Sequence, residues 1–528
     1  MMERRLLTWL KTGILLLALA GLPACGGGGD GGTAPLVPGD GGAGGDGGAG
    51  GDGGAGGGGT SLTIANDAYS WLGNAQITVP AADGVLVNDT LATGVTAAQN
   101  PTAQGGTVTV AADGGFTYAP ATGFTGVDSF TYTATAADGT TAQGTVLITI
   151  EEVAWFVKND FTGTSDGTSV APFTSLFDVS QVDFAGDTIF VYTGDGLNTN
   201  QASGFDLLEN QRLIGQGMGL SFDVLPSDPD NAPLPIGGAA PTTAGVAPVI
   251  SDTANIIDNT PILGLASGVE VAGVVIDGTG EQGNLYGMTG ANITGFNIHD
   301  TTIRNLNLGG IQLTGATGGT GLIANNSFQN IGLSAATGDN ALDIVTTATG
   351  VNFTLSGNSM NAVQESGIRV QFAQGSVNVT GNSLADVGTV NGRRGIDLDG
   401  AGTAVITGNT VDNTGVAAVA RSGIQVNATG ILAARVTGNS VSNANAADGG
   451  IQAQTTTIAS TLCLEMTGNT TDSNFLLDNR TTGDLPAGFR IEGPTQADFE
   501  AANTGTENYL ATPAAFSFVP VGTCGIAP

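Results

Sequence analysis

The sequence predicts an all-β chain: an antiparallel β-sandwich followed by a right-handed, single-stranded parallel β-helix. Three observations predict it. Composition is unusual, with 87 glycines among 528 residues and only 11% charged side chains, which fits many short strands joined by tight turns. Residues 61–150 alternate apolar and polar positions in short runs broken by turn residues. Beyond residue 153, glycine-isoleucine and asparagine marks recur with one shared period. The formal charge of −33 makes nucleic acid an improbable partner and suits solubility outside the cell.

The N-terminus sets the expected compartment. Arg4, Arg5 and Lys11 precede the apolar run Gly13-Ile14-Leu15-Leu16-Leu17-Ala18-Leu19-Ala20, shorter than the about 20 residues a membrane-spanning helix needs. Residues 1–24 therefore read as a signal peptide. The run ends in Leu22-Pro23-Ala24-Cys25, which resembles the bacterial lipobox, where small residues admit the peptidase and the cysteine thiol takes a diacylglyceryl group. That resemblance implies a lipidated Cys25 as the mature N-terminus. Gly26 stands where an aspartate retains such lipoproteins in the inner membrane, so an outer-membrane anchor facing the cell surface is expected. The residues around Arg4-Arg5 fit a twin-arginine signal poorly, which leaves general secretion. In an oxidising compartment Cys463 and Cys524 are expected to pair as a disulfide tying the last residues onto the last coil.

Residues 25–60 form a Gly/Asp-rich linker in which Gly-Gly-Ala-Gly-Gly-Asp repeats at 41–46 and 47–52. It cannot bury a core. Calcium β-rolls need a large apolar residue in each repeat, and only alanine occurs here. A Gly-rich coil of this length spans roughly 30 Å r.m.s., a tether.

Residues 61–152 carry the strand runs 75–79, 106–110, 115–118, 129–133 and 144–150, with turns at Asp113-Gly114 and Asp138-Gly139. Val87-Asn88-Asp89-Thr90, the run from Asp113 to Pro120 and the run from Gly123 to Tyr132 closely resemble bacterial cadherin-like, immunoglobulin-like modules across the whole segment. Such modules are usually spacers. Asp67, Asp89 and Asp128 are accordingly expected as turn and capping residues in preference to a calcium site.

Residues 153–528 align on Gly310-Ile311-Gln312-Leu313, Ala341-Leu342-Asp343-Ile344, Gly367-Ile368-Arg369-Val370, Gly395-Ile396-Asp397-Leu398, Gly423-Ile424-Gln425-Val426, Gly450-Ile451-Gln452-Ala453 and Gly488-Phe489-Arg490-Ile491. A second mark runs in phase through Asn326, Asn358, Asn382, Asn409, Asn439 and Asn469. Strands of three to five residues with glycine or asparagine breaks fit three short strands per coil, stacked in parallel over about ten coils. Asparagine tolerates the left-handed conformation and its amide can bond the next coil. The pattern resembles the asparagine ladder of the pectin-lyase-like superfamily. The amphipathic run from Pro172 to Val179 is expected to cap the first coil, and the proline-rich residues 225–248 to leave the stack as a lateral loop.

Strand alternation turns Ile311 and its equivalents inward and exposes two columns. One is Gln312, Asp343, Arg369, Asp397, Gln425, Gln452 and Arg490; the next is Thr314, Val345, Gln371, Asp399, Asn427, Gln454 and Glu492. The resemblance implies a site on such a sheet, which makes Asp343, Arg369, Asp397 and Asp399 the candidate catalytic residues, with aspartates as acid and base or calcium ligands and Arg369 binding or deprotonating a uronic acid. The competing expectation is an ion-pair ladder in which Arg369 faces Asp343 and Asp397 one rung away on either side. Flanking carboxylates make arginine a poorer base, and neither column offers an aromatic ring for a sugar. The Asn-Thr-Asp, Asp-Asp, Gly-His-Gly and Arg-Ile-Lys motifs of the superfamily's hydrolase branch are missing from these coils. The single histidine, His299, is expected as a turn residue at the asparagine corner, and Lys158 is the one lysine beyond the signal peptide. A histidine triad, a zinc site or a Schiff-base lysine is thereby disfavoured.

The leading expectation is a monomeric, non-catalytic surface lipoprotein for adhesion, glycan binding or surface structure. It requires no cofactor, with calcium as an optional ion. The alternative is an extracellular polysaccharide lyase or glycoside hydrolase acting on an acidic polysaccharide through the Asp343-Arg369-Asp397-Asp399 patch.

Overall fold

The computed structural model describes residues 61–196, 204–218, 220, 246–251, 261–280, 285–334, 340–388, 394–412, 422–442, 449–457, 459–479, 489–493, 495–509 and 517–526. The expected signal peptide and linker, with Cys25, and residues 225–245 of the expected lateral loop lie outside them.

In the sandwich, strand Gly126–Ala136 pairs antiparallel with Ala92–Ala98 and with Thr141–Val157, while Phe116–Ala119 lies antiparallel between Ile77–Val79 and Thr107–Val110. Strand Asp67–Gly73 departs from the expected pattern: it runs parallel to Thr141–Val157. Period-two alternation buries Phe130, Tyr132, Val146, Ile148 and Ile150 in the core with Trp71, Ile77, Phe116 and Tyr118. Each large side chain so buried contributes roughly 1.5–3 kcal/mol.

The three aspartates separate into different roles. Asp128 accepts from Thr102 Oγ1 (2.6 Å), Tyr118 Oη (2.9 Å), Gln104 N (2.8 Å) and Ser129 N (2.7 Å). Asp89 accepts from Ala65 N (2.9 Å) and Tyr132 Oη (3.1 Å). Asp67 is only 2% exposed and takes up no backbone N–H as a cap would. Burial, reinforced by Asp89, pushes its carboxyl up to about 7.

The expected boundary after residue 152 falls inside one strand. Thr141–Val157 pairs through residues 141–150 with Gly126–Ala136 of the sandwich and through residues 154–157 with strand Thr188–Val191 of the β-helix. Val153, Trp155 and Val157 enter the β-helix core, whereas Ala154 and Phe156 bury their opposite face with Leu72, Ala75, Phe190 and Ile214. Ser169 N donates to Asn74 O and Gln76 N to Ser169 Oγ, both at 2.9 Å, so the sandwich is bonded to the first coil.

The β-helix has about nine turns. Three parallel sheets run along it, here named A, B and C in the order the chain visits them in each coil from Ile311 onward. In sheet A, Ile311, Leu342, Ile368, Ile396, Ile424, Ile451 and Phe475 are in direct register and fully buried. The last expected rung is corrected. Phe489 pairs with Leu462 in sheet B, and the sheet A strand above Ile451 is residues 475–479. The 38-residue step from Ile451 to Phe489 therefore spans a full coil plus one further side.

Asparagine fills the corner between sheets B and C. Asn382 Nδ2 donates to Leu355 O and to Asn409 Oδ1, both at 2.9 Å, and Asn382 Oδ1 accepts from Asn358 N and Nδ2. The same bonds run from Asn326 to Asn503, all buried. The expected reason for asparagine needs correcting, because the left-handed residue is the one before it: Gly381 has φ +63° and Gly408 +65°. From Asn358 to Asn469 glycine supplies the turn, Asn325 does so ahead of Asn326 at φ +56°, and the ladder asparagines supply buried hydrogen bonds that would otherwise be missing.

Helix α1 (Leu176–Val179) buries Leu176 and Val179 against the first coils, its N-cap Ser175 accepting from Asp178 N. Helix α2 (Gln496–Ala502) buries Phe499 edge-on against Phe475 at 6.4 Å. A disulfide joins Cys463, on the sheet B strand Thr461–Thr467, to Cys524, with Cα atoms 5.5 Å apart.

Candidate functional site

In-register pairing sets the outward column of sheet A as Asp206, Gly264, Thr289, Gln312, Asp343, Arg369, Asp397, Gln425, Gln452 and Leu476. The neighbouring column runs Ala291, Thr314, Val345, Gln371, Asp399, Asn427, Gln454 and Asp478. Arg490 and Glu492, expected to end these columns, stand on sheet B, and Leu476 and Asp478 take their places.

The four candidate catalytic residues come together on adjacent rungs. Arg369 Nε lies 3.6 Å from Asp343 Oδ1, and Arg369 Nη2 donates to Gln371 Oε1 at 3.3 Å. Gln371 Nε2 donates to Asp399 Oδ2 at 2.9 Å, and Asn427 Nδ2 donates to the other carboxylate oxygen. Asp397 differs from the expected ladder, in which Arg369 was its partner. Its Oδ2 accepts from Arg394 Nη1 at 2.8 Å. Asp343 is 6% exposed and Asp397 7%. Burial pushes the Asp397 carboxyl up; Arg394 opposes that, Asp399 adds to it and Arg369 opposes it more weakly. Arg369, Gln371, Asp399 and Asn427 are thus linked by side-chain hydrogen bonds, and Arg394 holds Asp397 through Oδ2 while the buried Oδ1 of Asp397 accepts no hydrogen bond.

Residues 60–149 match the bacterial Ig domain, and residues 263–474 match the right-handed β-helix region. Within residues 60–474 the chain thus carries a match to a bacterial Ig domain followed by one to a right-handed β-helix region. Among solved structures, the family 28 exopolygalacturonase of Yersinia enterocolitica aligns at 13% identity over 77% of this chain and 86% of that one, with a TM-score of 0.26. No curated protein matches.

Two further sites on the β-helix region escaped the sequence reading. His299 is not at the asparagine corner; Thr301 N–H reaches Asn326 Oδ1 there. His299 ends the sheet B strand Thr294–His299, with Nε2 3.0 Å from Glu270 Oε1 and Nδ1 2.8 Å from Asp300 Oδ2. Arg212 Nε donates to Glu270 Oε2 at 2.6 Å. The hydrogen bond to His299, with Arg212 adding to it against desolvation, holds the Glu270 carboxyl down to about 2, and the hydrogen bond to Glu270 holds the imidazole above its ordinary value.

The second is a depression of about 500 Å³ on sheet A, where Asp206, Thr289, Gln312 and Thr314 meet Tyr286 and Pro261. Tyr286 occupies the entry corner of sheet A, the corner where Arg394 stands four rungs on, and its ring lies over Gly309, where a Cβ would approach Cε1 to 2.9 Å. Gln312 Nε2 donates to Tyr286 Oη at 3.0 Å. The run Tyr286-Gly287-Met288-Thr289 repeats the glycine-apolar-polar mark with methionine for isoleucine, a signal that could have marked this rung. Among the described residues no group of three or more His, Cys, Asp or Glu side chains is placed to hold a metal ion.

Proposed function

We propose that this chain is a non-catalytic, lipid-anchored surface protein whose β-helix binds glycan along the outward face of sheet A. Cys25 supplies the anchor, residues 26–59 the tether, and the Ig domain a base bonded to the first coil. One observation carries the non-catalytic reading: Asp343 and Asp397 are less than a tenth exposed, and each faces an arginine. A general base or acid has to reach substrate, and a nucleophile has to be accessible. These carboxylates are instead held within the sheet.

Polygalacturonate and alginate incubated with the full chain, with and without added calcium, are expected to yield neither unsaturated product nor new reducing ends. Product that disappears in Asp397→Ala and Arg369→Ala would establish the second reading, a lyase or hydrolase. That reading is favoured by Asp397, raised by burial, standing two residues from Asp399 on one strand face. Lipidation is tested by metabolic labelling with an alkyne fatty acid. The label is expected on the wild type and lost in Cys25→Ala.

A further inference from the structure

We infer that the depression at Tyr286 is the sugar subsite of sheet A and that it takes a neutral pyranose in preference to a uronic acid. The inference rests on the glycan-binding reading above and assigns it to a place. The outward column changes character along its length. From Asp343 onward each rung carries a large side chain engaged with its neighbours, whereas Gly264 leaves a gap between Asp206 and Thr289. The Asp206 carboxyl lies over that gap, so that a Cβ on Gly264 would fall 2.0 Å from Asp206 Oδ1.

The lining has the chemistry of a sugar. A pyranose has an apolar face of C–H bonds and a rim of hydroxyls. Tyr286 and Pro261 provide an apolar wall, and the bond from Gln312 fixes the ring. Asp206 accepts from hydroxyls, while Thr289 and Gln312, one rung apart at about 4.8 Å, and Thr314, on the same strand as Gln312, add donors and acceptors. The volume falls in the range of about 300–1,000 Å³ usual for small-molecule sites. Asp206 is the one charged group among the described residues lining the depression, and the chain carries a net charge of −33. Both disfavour a sugar carboxylate there, and no cation among the described lining residues compensates.

Affinity electrophoresis of the full chain through gels containing galactomannan, xyloglucan or β-glucan, beside polygalacturonate and alginate, tests this. At least one neutral polysaccharide is expected to retard the wild type more strongly than either acidic one. Tyr286→Ala is expected to weaken that binding about tenfold or more. Gly264→Ala, which displaces the Asp206 carboxyl, is expected to weaken it less, and Tyr286→Phe, which keeps the ring, less again. An unchanged thermal midpoint in Tyr286→Phe and Gly264→Ala separates lost binding from lost folding. Retardation by neutral polysaccharide that all three variants retain, or retardation by the acidic ones alone, overturns the inference and leaves glycan binding standing. Retardation by none of the five overturns both.

Discussion

The asparagine corner and the outward column of sheet A climb the same rod rung for rung, yet one repeats and the other varies. At the corner Asn326, Asn358, Asn382, Asn409, Asn439, Asn469 and Asn503 each bond to a neighbouring coil and are shut off from water. The outward column reads Asp, Gly, Thr, Gln, Asp, Arg, Asp over Asp206 to Asp397. A buried amide has few ways to satisfy its donors and acceptors, so the same residue recurs. The outward side chains are satisfied by differing neighbours, Arg369 by Gln371, Gln371 by Asp399 and Asp397 by Arg394, so several residue types serve. Repetition therefore marks what holds the coils together, and the chemistry of the surface has to be sought where the rungs differ.

The largest effect is expected at the corner. Asn382→Ala removes donors to Leu355 O and Asn409 Oδ1 and leaves the Asn358 amide without its acceptor. At about 1–3 kcal/mol for each buried group left unpaired, the loss should reach about 3 kcal/mol in urea unfolding. A loss under about 1 kcal/mol would break the comparison.

Asp67 extends the contrast to the sandwich, as a buried polar group without such a network. Its folded value of about 7 lies above the ordinary 3.8, so the folded state holds a proton that the unfolded state gives up. Stability of the sandwich is therefore lost as pH rises from about 4 to 7 and is flat above. Asp67→Asn is expected to flatten that slope, by about 2 kcal/mol, in hydrogen exchange of residues 126–136 and 141–150.

A smaller effect belongs to the outward side of sheet B. His299, raised by Glu270 and Asp300, stabilises fully below its ordinary 6.5 and ceases to as pH rises through its folded value. Glu270, lowered to about 2, stabilises fully above its ordinary 4.5 and loses that contribution as pH falls toward 2. The contribution of this pair should be greatest between about pH 4.5 and 6.5, and His299→Gln should remove about 1 kcal/mol of it, read as the difference from the wild type in unfolding midpoints against pH. The smallest effect is expected at Asp399→Asn, within about 0.5 kcal/mol, because this side chain sits where water can replace its amide donors. A cost like that of Asn382→Ala would erase the distinction between corner and column.

Much of this was legible in the residues themselves. The alternation of Phe130, Tyr132, Val146 and Ile148 and the shared period of glycine-isoleucine and asparagine determined a sandwich followed by stacked coils, because a period of two and a repeat near 28 residues each leave one way to bury their apolar positions. They also placed Asp343, Arg369, Asp397 and Asp399 on adjacent rungs. Tertiary structure alone decided the rest. Spacing gives the phase of a strand within a coil but not which side a long step returns to, so Phe475 rather than Phe489 follows Ile451 in sheet A. It gives no partner for a side chain that reaches round a corner, so Arg394 on Asp397, His299 on Glu270 and Tyr286 over Gly309 appear only when the coils are stacked.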